Sequence, residues 1–424
     1  MKFINIAHPE QKVTFPQAVI TGLGKGQGLF FPEQLSPLDN IPGLLKMDFV
    51  SRSSLILQHL VGEAMAADVL QDGVKRAFNF PVKLEPVSEH VHALELFHGP
   101  SLAFKDFGAR FMAQCLASFN ANKKTTILTA TSGDTGAAVA LAFYGQPGID
   151  VVVLYPQGKV TPLQEKLFCT LGGNIRTIAI ENDFDACQKL VNQSFDDPGL
   201  VKALGLNSAN SINVARLLAQ VCYYFEAVAA LPPGTEPVFS VPSGNFGNVT
   251  AGLLAHAIGL PIKRMVAATN CNDTVPRFFH SGSWDPRPTV TTLTNAMDIS
   301  LPNNFPRVLE LGERHGLPLR ELLTSFAVSD AETRDAVAAL DKIGYLADPH
   351  SALAWKALSD DLEENETGVF LCTAHPAKFR ETIEDVLKRR LTLPTELEQV
   401  SEKEVLSTVM PADFDALRDL LLES

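Results

Sequence analysis

The chain lacks most of what marks a secreted, membrane-spanning or nucleic-acid-binding protein. Among 424 residues there are six cysteines, Cys115, Cys169, Cys187, Cys222, Cys271 and Cys372, spaced singly with no CxxC pair, which excludes the dense disulfide framework of small secreted domains. Buried, reduced thiols are expected. No apolar stretch approaches the roughly 18 residues that a membrane helix needs, and the opening MKFINIAHPEQKVTF holds no apolar core of signal-peptide length. The expected compartment is therefore the cytoplasm. A basic excess is missing too: 35 Lys and Arg stand against 48 Asp and Glu, a formal net charge of -13, and such a field repels nucleic acid and anionic membranes. An anionic substrate then requires a locally basic pocket. His90 and His92 point to one side of a strand, but no third ligand lies at a recognisable spacing, so two polar residues flanking a strand are expected and no metal. Oligomeric state stays open, because no segment declares itself an interface.

What is present is a globular composition, 46% hydrophobic and 20% charged, enough to bury a core divided over two or three domains. There is no internal repeat or long linker. Up to about residue 95 the pattern is mixed, a Gly-rich turn (Gly22, Gly24, Gly26, Gly28) followed by mostly helical spacing, and reads as an N-terminal domain. From about 125 onward, β-rich apolar runs alternate with helical segments, the order that builds a parallel sheet. TTILTA (125–130), an Ala-rich helix from Ala137, IDVVVLY, the helical PLQEKLFCTL and NIRTIAI form one series. A helix over about 214–230, VFSV (238–241), a helix over about 249–258 and IKRMVAA form a second, and GVFLCTA (368–374) leads into a helix starting near His375. The domains read as 1–95, 96–205 and 206–424, an α/β architecture whose ligand groups gather where strands end and helices begin.

Three segments at such places carry chemistry. SGNFGN (243–248) follows a strand and opens a helix, so its amides and the helix dipole converge on an anion, and phosphate is the natural guess. A tight turn without ligand is the plain alternative. GLGKGQG near the N terminus fits neither the P-loop nor GxGxxG. TSGDTG (131–136) offers hydroxyls and amides suited to a carboxylate, although Ser132 and Asp134 could be ordinary helix caps. In HGPSLAFKDFGARFMAQ (98–114), Phe104, Phe107 and Phe111 form an apolar face around Lys105. A partly desolvated amine loses its proton readily, as Schiff-base and general-base lysines require; a snorkelling lysine paired with Asp106 is the alternative.

Together, FHGPSLAFKDFGARF, TSGDTG, NSIN with Arg216, SGNFGN and TAHPAKF, preceded by GLFFP and SRSS, resemble the threonine synthases of the fold-type II pyridoxal-phosphate enzymes, in that family's order and over essentially the whole chain. The resemblance implies a tryptophan synthase β-like fold with two parallel-sheet αβα domains and an extra N-terminal domain. It implies pyridoxal 5'-phosphate as cofactor, carried on Lys105 as a Schiff base. Gly244, Asn245, Phe246, Gly247 and Asn248 become the cofactor-phosphate cup, and Thr373 the neutral partner of the pyridine nitrogen. Ser132, Gly133, Asp134 and Thr135 would hold the substrate carboxylate. Many relatives have Asn where Asp134 stands, which favours a contact to a neutral group or a cofactor hydroxyl there. Ser211, Asn213 and Arg216 are implied for the substrate phosphate, with a solvated ion pair as the alternative for Arg216. The implied reaction is conversion of O-phospho-L-homoserine and water to L-threonine and phosphate. A β-eliminating lyase or phospho-lyase of the same fold, or a catalytically silent binding protein, are the competing readings.

Overall fold

The structure, a computed structural model, describes residues 1–119 and 124–423. Strands β1 (Phe3–Asn5), β2 (His8–Val13) and β3 (Phe30–Pro32) form a small antiparallel sheet in the order β2-β1-β3. β4 (Lys83–Pro86) and β5 (Val91–Glu95) begin a second sheet, and β6 (Thr125–Ala130), β7 (Ile149–Pro156), β8 (Ile175–Ile180) and β9 (Leu206–Asn207) make most of a third. β10 (Val238–Pro242), β11 (Arg264–Thr269), β12 (Leu323–Ala327) and β13 (Gly368–Cys372) complete the second sheet, and β14 (Thr408–Met410) returns to the third. The six-stranded sheet runs β12-β11-β10-β13-β5-β4, parallel except for β4, and the five-stranded sheet runs β14-β8-β7-β6-β9, all parallel.

The central strands are buried on both faces, as every residue of β6, β10 and β13 illustrates, which is why they read as continuous apolar runs. The expected strands and intervening helices all form: Asp134–Phe143 after β6, Val214–Ala230 after β9 and Gly247–Ala257 after β10. Beyond GVFLC the chain makes a 3-10 turn, Pro376–Phe379, before the helix Arg380–Leu387. His375 caps that turn, and two short units replace the single expected helix.

Strand pairing crosses the domain borders read from the sequence. β5 lies before residue 96 yet pairs in parallel with β13, and β14 lies far beyond 205 yet extends the sheet that starts with β6. Pairing of this kind depends on which backbone is brought alongside, not on local periodicity. The C-terminal helix Phe414–Leu422 buries Leu417 and Leu421 against Cys187 and Leu190. Five cysteines are buried as expected, and Cys271 is exposed. No described helix is long and apolar enough to cross a membrane.

The N-terminal segment is fastened directly behind the helix Lys105–Phe119. The Phe107 ring meets Phe78 at 5.4 Å, Phe80 at 4.8 Å and Tyr223 at 5.3 Å between centroids, joining residues before 82 to the helix Val214–Ala230. Arg52, buried in the helix Phe49–Val61, donates to Glu226 of the same long helix. The helices at 105 and 214 cross at Gly108, where a Cβ would stand 3.0 Å from the Arg216 carbonyl oxygen; the missing side chain is what lets them approach. Truncating Phe107 to Ala should cost about 3–5 kcal/mol in urea unfolding. A loss below about 1 kcal/mol would mean that this aromatic joint does not hold the N-terminal segment in place.

Candidate active site

Lys105 is positioned by a strap between two distant parts of the chain. Ala103 and Ala374 form an antiparallel bridge, the Phe104 N–H donates to the Thr373 carbonyl at 2.9 Å, and the His375 N–H donates to the Leu102 carbonyl at 3.0 Å. Lys105 then opens its helix, beside Thr373. Its amine lies 5.4 Å from the Phe104 ring centroid and 3.9 Å from Asp134 Oδ2. Burial pulls the amine down to about 8; Asp134 opposes that shift, and Lys378 and Arg216 add to it. Asp106 is not its partner. That carboxylate is fully buried, accepts the Ser101 N–H at 2.9 Å and staples the preceding loop, and burial raises it to about 6.

In the turn after β6, capping falls to Thr131, whose hydroxyl accepts the N–H groups of Gly133 and Gly136 at 2.9 and 2.8 Å. Ser132 and Thr135 therefore keep their hydroxyls for the cavity they line, whereas Gly133, at φ 141°, is not part of the lining. Asp134 lines the cavity with its charge already engaged. Lys378 Nζ is 2.5 Å from Oδ1, and Gln164 Nε2 donates to the same oxygen at 3.0 Å. Burial alone would raise this carboxyl, but Lys378 and Lys105 outweigh it and hold it well below the usual carboxylate range. Such a group does not receive a substrate carboxylate. Lys378 lies in the TAHPAKF segment, but the sequence reading gave neither it nor Gln164 a role, because the partner of each is far away in the chain.

The turn Ser243–Asn248 meets the helix Gly247–Ala257 at Phe246, a left-handed residue (φ 60°) whose ring packs edge-on to Phe305 at 5.6 Å. A bulky residue held there costs of order 1 kcal/mol and needs surrounding structure to fix it. Gly244 lets the turn approach the covering loop: a Cβ would stand 2.6 Å from the Met297 Cα. Asn248 Oδ1 accepts the Tyr223 and Tyr224 hydroxyls at 2.6 and 2.8 Å, leaving its buried Nδ2 without a partner. With no carboxylate in the turn and a helix N terminus behind it, the donor set is that of an anion cup.

Arg216, 2% exposed, lines the same cavity. Its Nη1 donates to the Ala209 carbonyl at 2.5 Å, its Nε has no partner, and among the described residues no carboxylate pairs with it. Burial lowers the guanidinium to about 10, and a buried, charged, unpaired fork is suited to a phosphate. This is not the solvated ion pair considered from the sequence. Ser211 accepts from Asn245 Nδ2 at 2.7 Å and lines the cavity, but Asn213 does not. Asn213 caps the helix Val214–Ala230 and donates to the Val19 carbonyl at 3.0 Å, so both ends of its amide are committed to structure. Arg307, fully buried and also missed, donates to the carbonyls of Phe30 and Ile212 at 2.8 and 2.7 Å, tying the loop of Ser211 to β3.

These groups surround one cavity of about 360 Å³, lined by Lys105, Thr373, the turn 243–248, Ser132, Asp134, Thr135, Ser211 and Arg216. A covering segment adds Asn295, Met297 and Asp298, and Asp298 is fixed by Thr292 Oγ1 at 2.7 Å and Asn270 Nδ2 at 3.0 Å. Among the described residues, no group of three or more His, Cys, Asp or Glu is arranged to hold a metal ion. The residues present fit pyridoxal phosphate: an amine of lowered pKa, an anion cup with an orphaned amide, and a neutral hydroxyl at Thr373.

Comparison with known proteins agrees. Residues 82–374 match the family described as pyridoxal-phosphate dependent enzyme, and residues 351–421 match the threonine synthase C-terminal region. The threonine synthase of Haemophilus influenzae is 60% identical over 100% of both chains. The crystal structure of threonine synthase from Escherichia coli superposes with a TM-score of 0.97 at 57% identity over 100% of both chains. A threonine synthase from Brucella melitensis with bound pyridoxal phosphate gives 0.92 at 31% identity, over 100% of this chain and 99% of that one. The chain thus has the fold-type II architecture, and it belongs to the pyridoxal-phosphate dependent enzymes and, within them, to the threonine synthases.

Proposed function

We propose that the chain converts O-phospho-L-homoserine and water into L-threonine and inorganic phosphate, with Lys105 as catalytic residue. The observation that carries the substrate assignment is Arg216, a buried guanidinium on the cavity wall that no carboxylate among the described residues neutralises. An enzyme acting on an unphosphorylated hydroxy amino acid has no use for a further anion site beyond the cofactor-phosphate cup and the site for the substrate carboxylate. A cytoplasmic setting is supported by the six free cysteines.

In this reading Lys105, Gly244, Asn245, Phe246, Gly247, Asn248 and Thr373 hold pyridoxal 5'-phosphate. When bound, the cofactor supplies an electron sink for the charge left as the Cα proton departs. Lys105 Nζ, with its pKa drawn to about 8, takes that proton as a neutral amine and later returns one. Ser132 and Thr135, at the N terminus of the helix Asp134–Phe143, orient the substrate carboxylate. Ser211 and Arg216 hold the phosphate at Cγ before and after the bond to it breaks. Asn213 acts on the phosphate site only through the helix it caps. Met297 and its neighbours cover the cavity and restrict water to what the addition at Cβ requires.

Incubating cofactor-loaded protein with O-phospho-L-homoserine should release phosphate and threonine in equal amounts. A keto acid in place of threonine would move the assignment to a phospho-lyase, and no phosphate release would overturn it. Lys105→Ala should abolish turnover and the visible absorbance of bound cofactor while leaving the circular dichroism unchanged. Arg216→Ala should keep that absorbance and raise KM for the phosphorylated substrate about 10- to 100-fold, the loss of charged hydrogen bonds; an unchanged KM would remove Arg216 from the phosphate site.

A further inference from the structure

Lys378 carries a charged side chain, yet it is 1% exposed. It sits in the turn Pro376–Phe379 that follows β13 of the six-stranded sheet. Its amine contacts Asp134 Oδ1 at 2.5 Å, on the helix that follows β6 of the five-stranded sheet, and donates to the Ser101 carbonyl at 2.8 Å, in the loop leading to Lys105. Asp134 thus faces two lysines at unequal range: Lys378 at hydrogen-bonding distance and Lys105 at 3.9 Å. Removing one partner of a buried ion pair leaves the other charge uncompensated, and the nearest remaining counter-charge takes its place.

We propose that Lys378 is a positioning residue for the Lys105 amine: by holding Asp134 at close range it takes up the carboxylate's charge, and so leaves Lys105 free to be a neutral nucleophile and base. The inference rests on the reading of Lys105 as the cofactor-binding lysine. The groups facing the Lys105 amine are Asp134, from the helix Asp134–Phe143, Lys378, from the turn after β13, and Arg216, from the helix Val214–Ala230. Asp134 favours the protonated amine, and the two cations disfavour it. Loss of Lys378 therefore acts twice in one direction, removing a repelling charge and releasing Asp134 to pair with Lys105. Lys105 becomes more basic and less often neutral.

The test is the rate at which cofactor-free full-length protein captures added pyridoxal 5'-phosphate, followed by its visible absorbance between about pH 6 and pH 10. Wild-type capture should rise through a midpoint near the Lys105 value of about 8. Lys378→Met should move that midpoint upward by about one pH unit or more, and Lys378→Arg, which keeps the charge, should restore it. An unmoved midpoint in folded Lys378→Met overturns the proposal and leaves Lys378 a structural tie. If that variant does not fold, the charge-balanced pair Asp134→Asn with Lys378→Met decides. Asp134 acts on Lys105 more strongly than Lys378 does, so without both the midpoint should fall below that of the wild type, and a midpoint raised above the wild type, with no Asp134 left to hold the ammonium, overturns the proposal. Failure of the underlying reading looks different: Lys105→Ala would then capture the cofactor with unaltered absorbance.

Discussion

The site depends on keeping one lysine amine out of water without pairing it away. Burial favours the neutral form of Lys105, a nearby carboxylate favours the charged form, and the balance is set by how much of that carboxylate remains available. Asp134 answers to Lys378 first, from the opposite sheet. The same contact therefore ties the turn after β13 of one sheet to the helix after β6 of the other, and makes the Lys105 amine easier to deprotonate.

The remaining groups are arranged around anions. The helices that begin at Asp134 and Gly247 direct their N-terminal ends toward the cavity, and Arg216 joins them from the helix that crosses behind Lys105 at Gly108. In a chain of net charge -13 such a concentration of positive potential has to be local and sheltered, because the overall field works against an anionic ligand. Burial shelters it, and burial also requires that the polar ends of the site be satisfied from behind. Tyr223 and Tyr224 fix the Asn248 amide in this way, and Arg307 fixes the loop of Ser211 through the carbonyls it gathers.

The N-terminal segment belongs to this support. Phe78 and Phe80 pack on Phe107, two residues after Lys105, while Arg52 reaches Glu226 and the Phe30 carbonyl meets Arg307. Its residues do not line the cavity; they brace the helices that do. A fold with the two sheets alone would leave the outer faces of the helices Lys105–Phe119 and Val214–Ala230 without much of their present packing.

By itself the sequence determined the strands that are apolar on both faces, the helices that follow them and the glycine-bearing turns between, because each is written in local periodicity and backbone permissiveness. It also offered the anion cup, Ser132 and Thr135 as candidates from their places where strands end and helices begin, and Lys105 from its apolar flanks, whereas the roles of Lys105 and Thr373 toward the cofactor came from the resemblance to a known family. What lay beyond it were the pairings of β5 with β13 and β14 with β8, the commitment of Asn213 to capping, and the burial of Lys378, Gln164 and Arg307 against partners far away in the chain. Those depend on which backbones and charges are brought alongside one another, and a side chain's burial and its nearest counter-charge exist only once the chain has closed on itself.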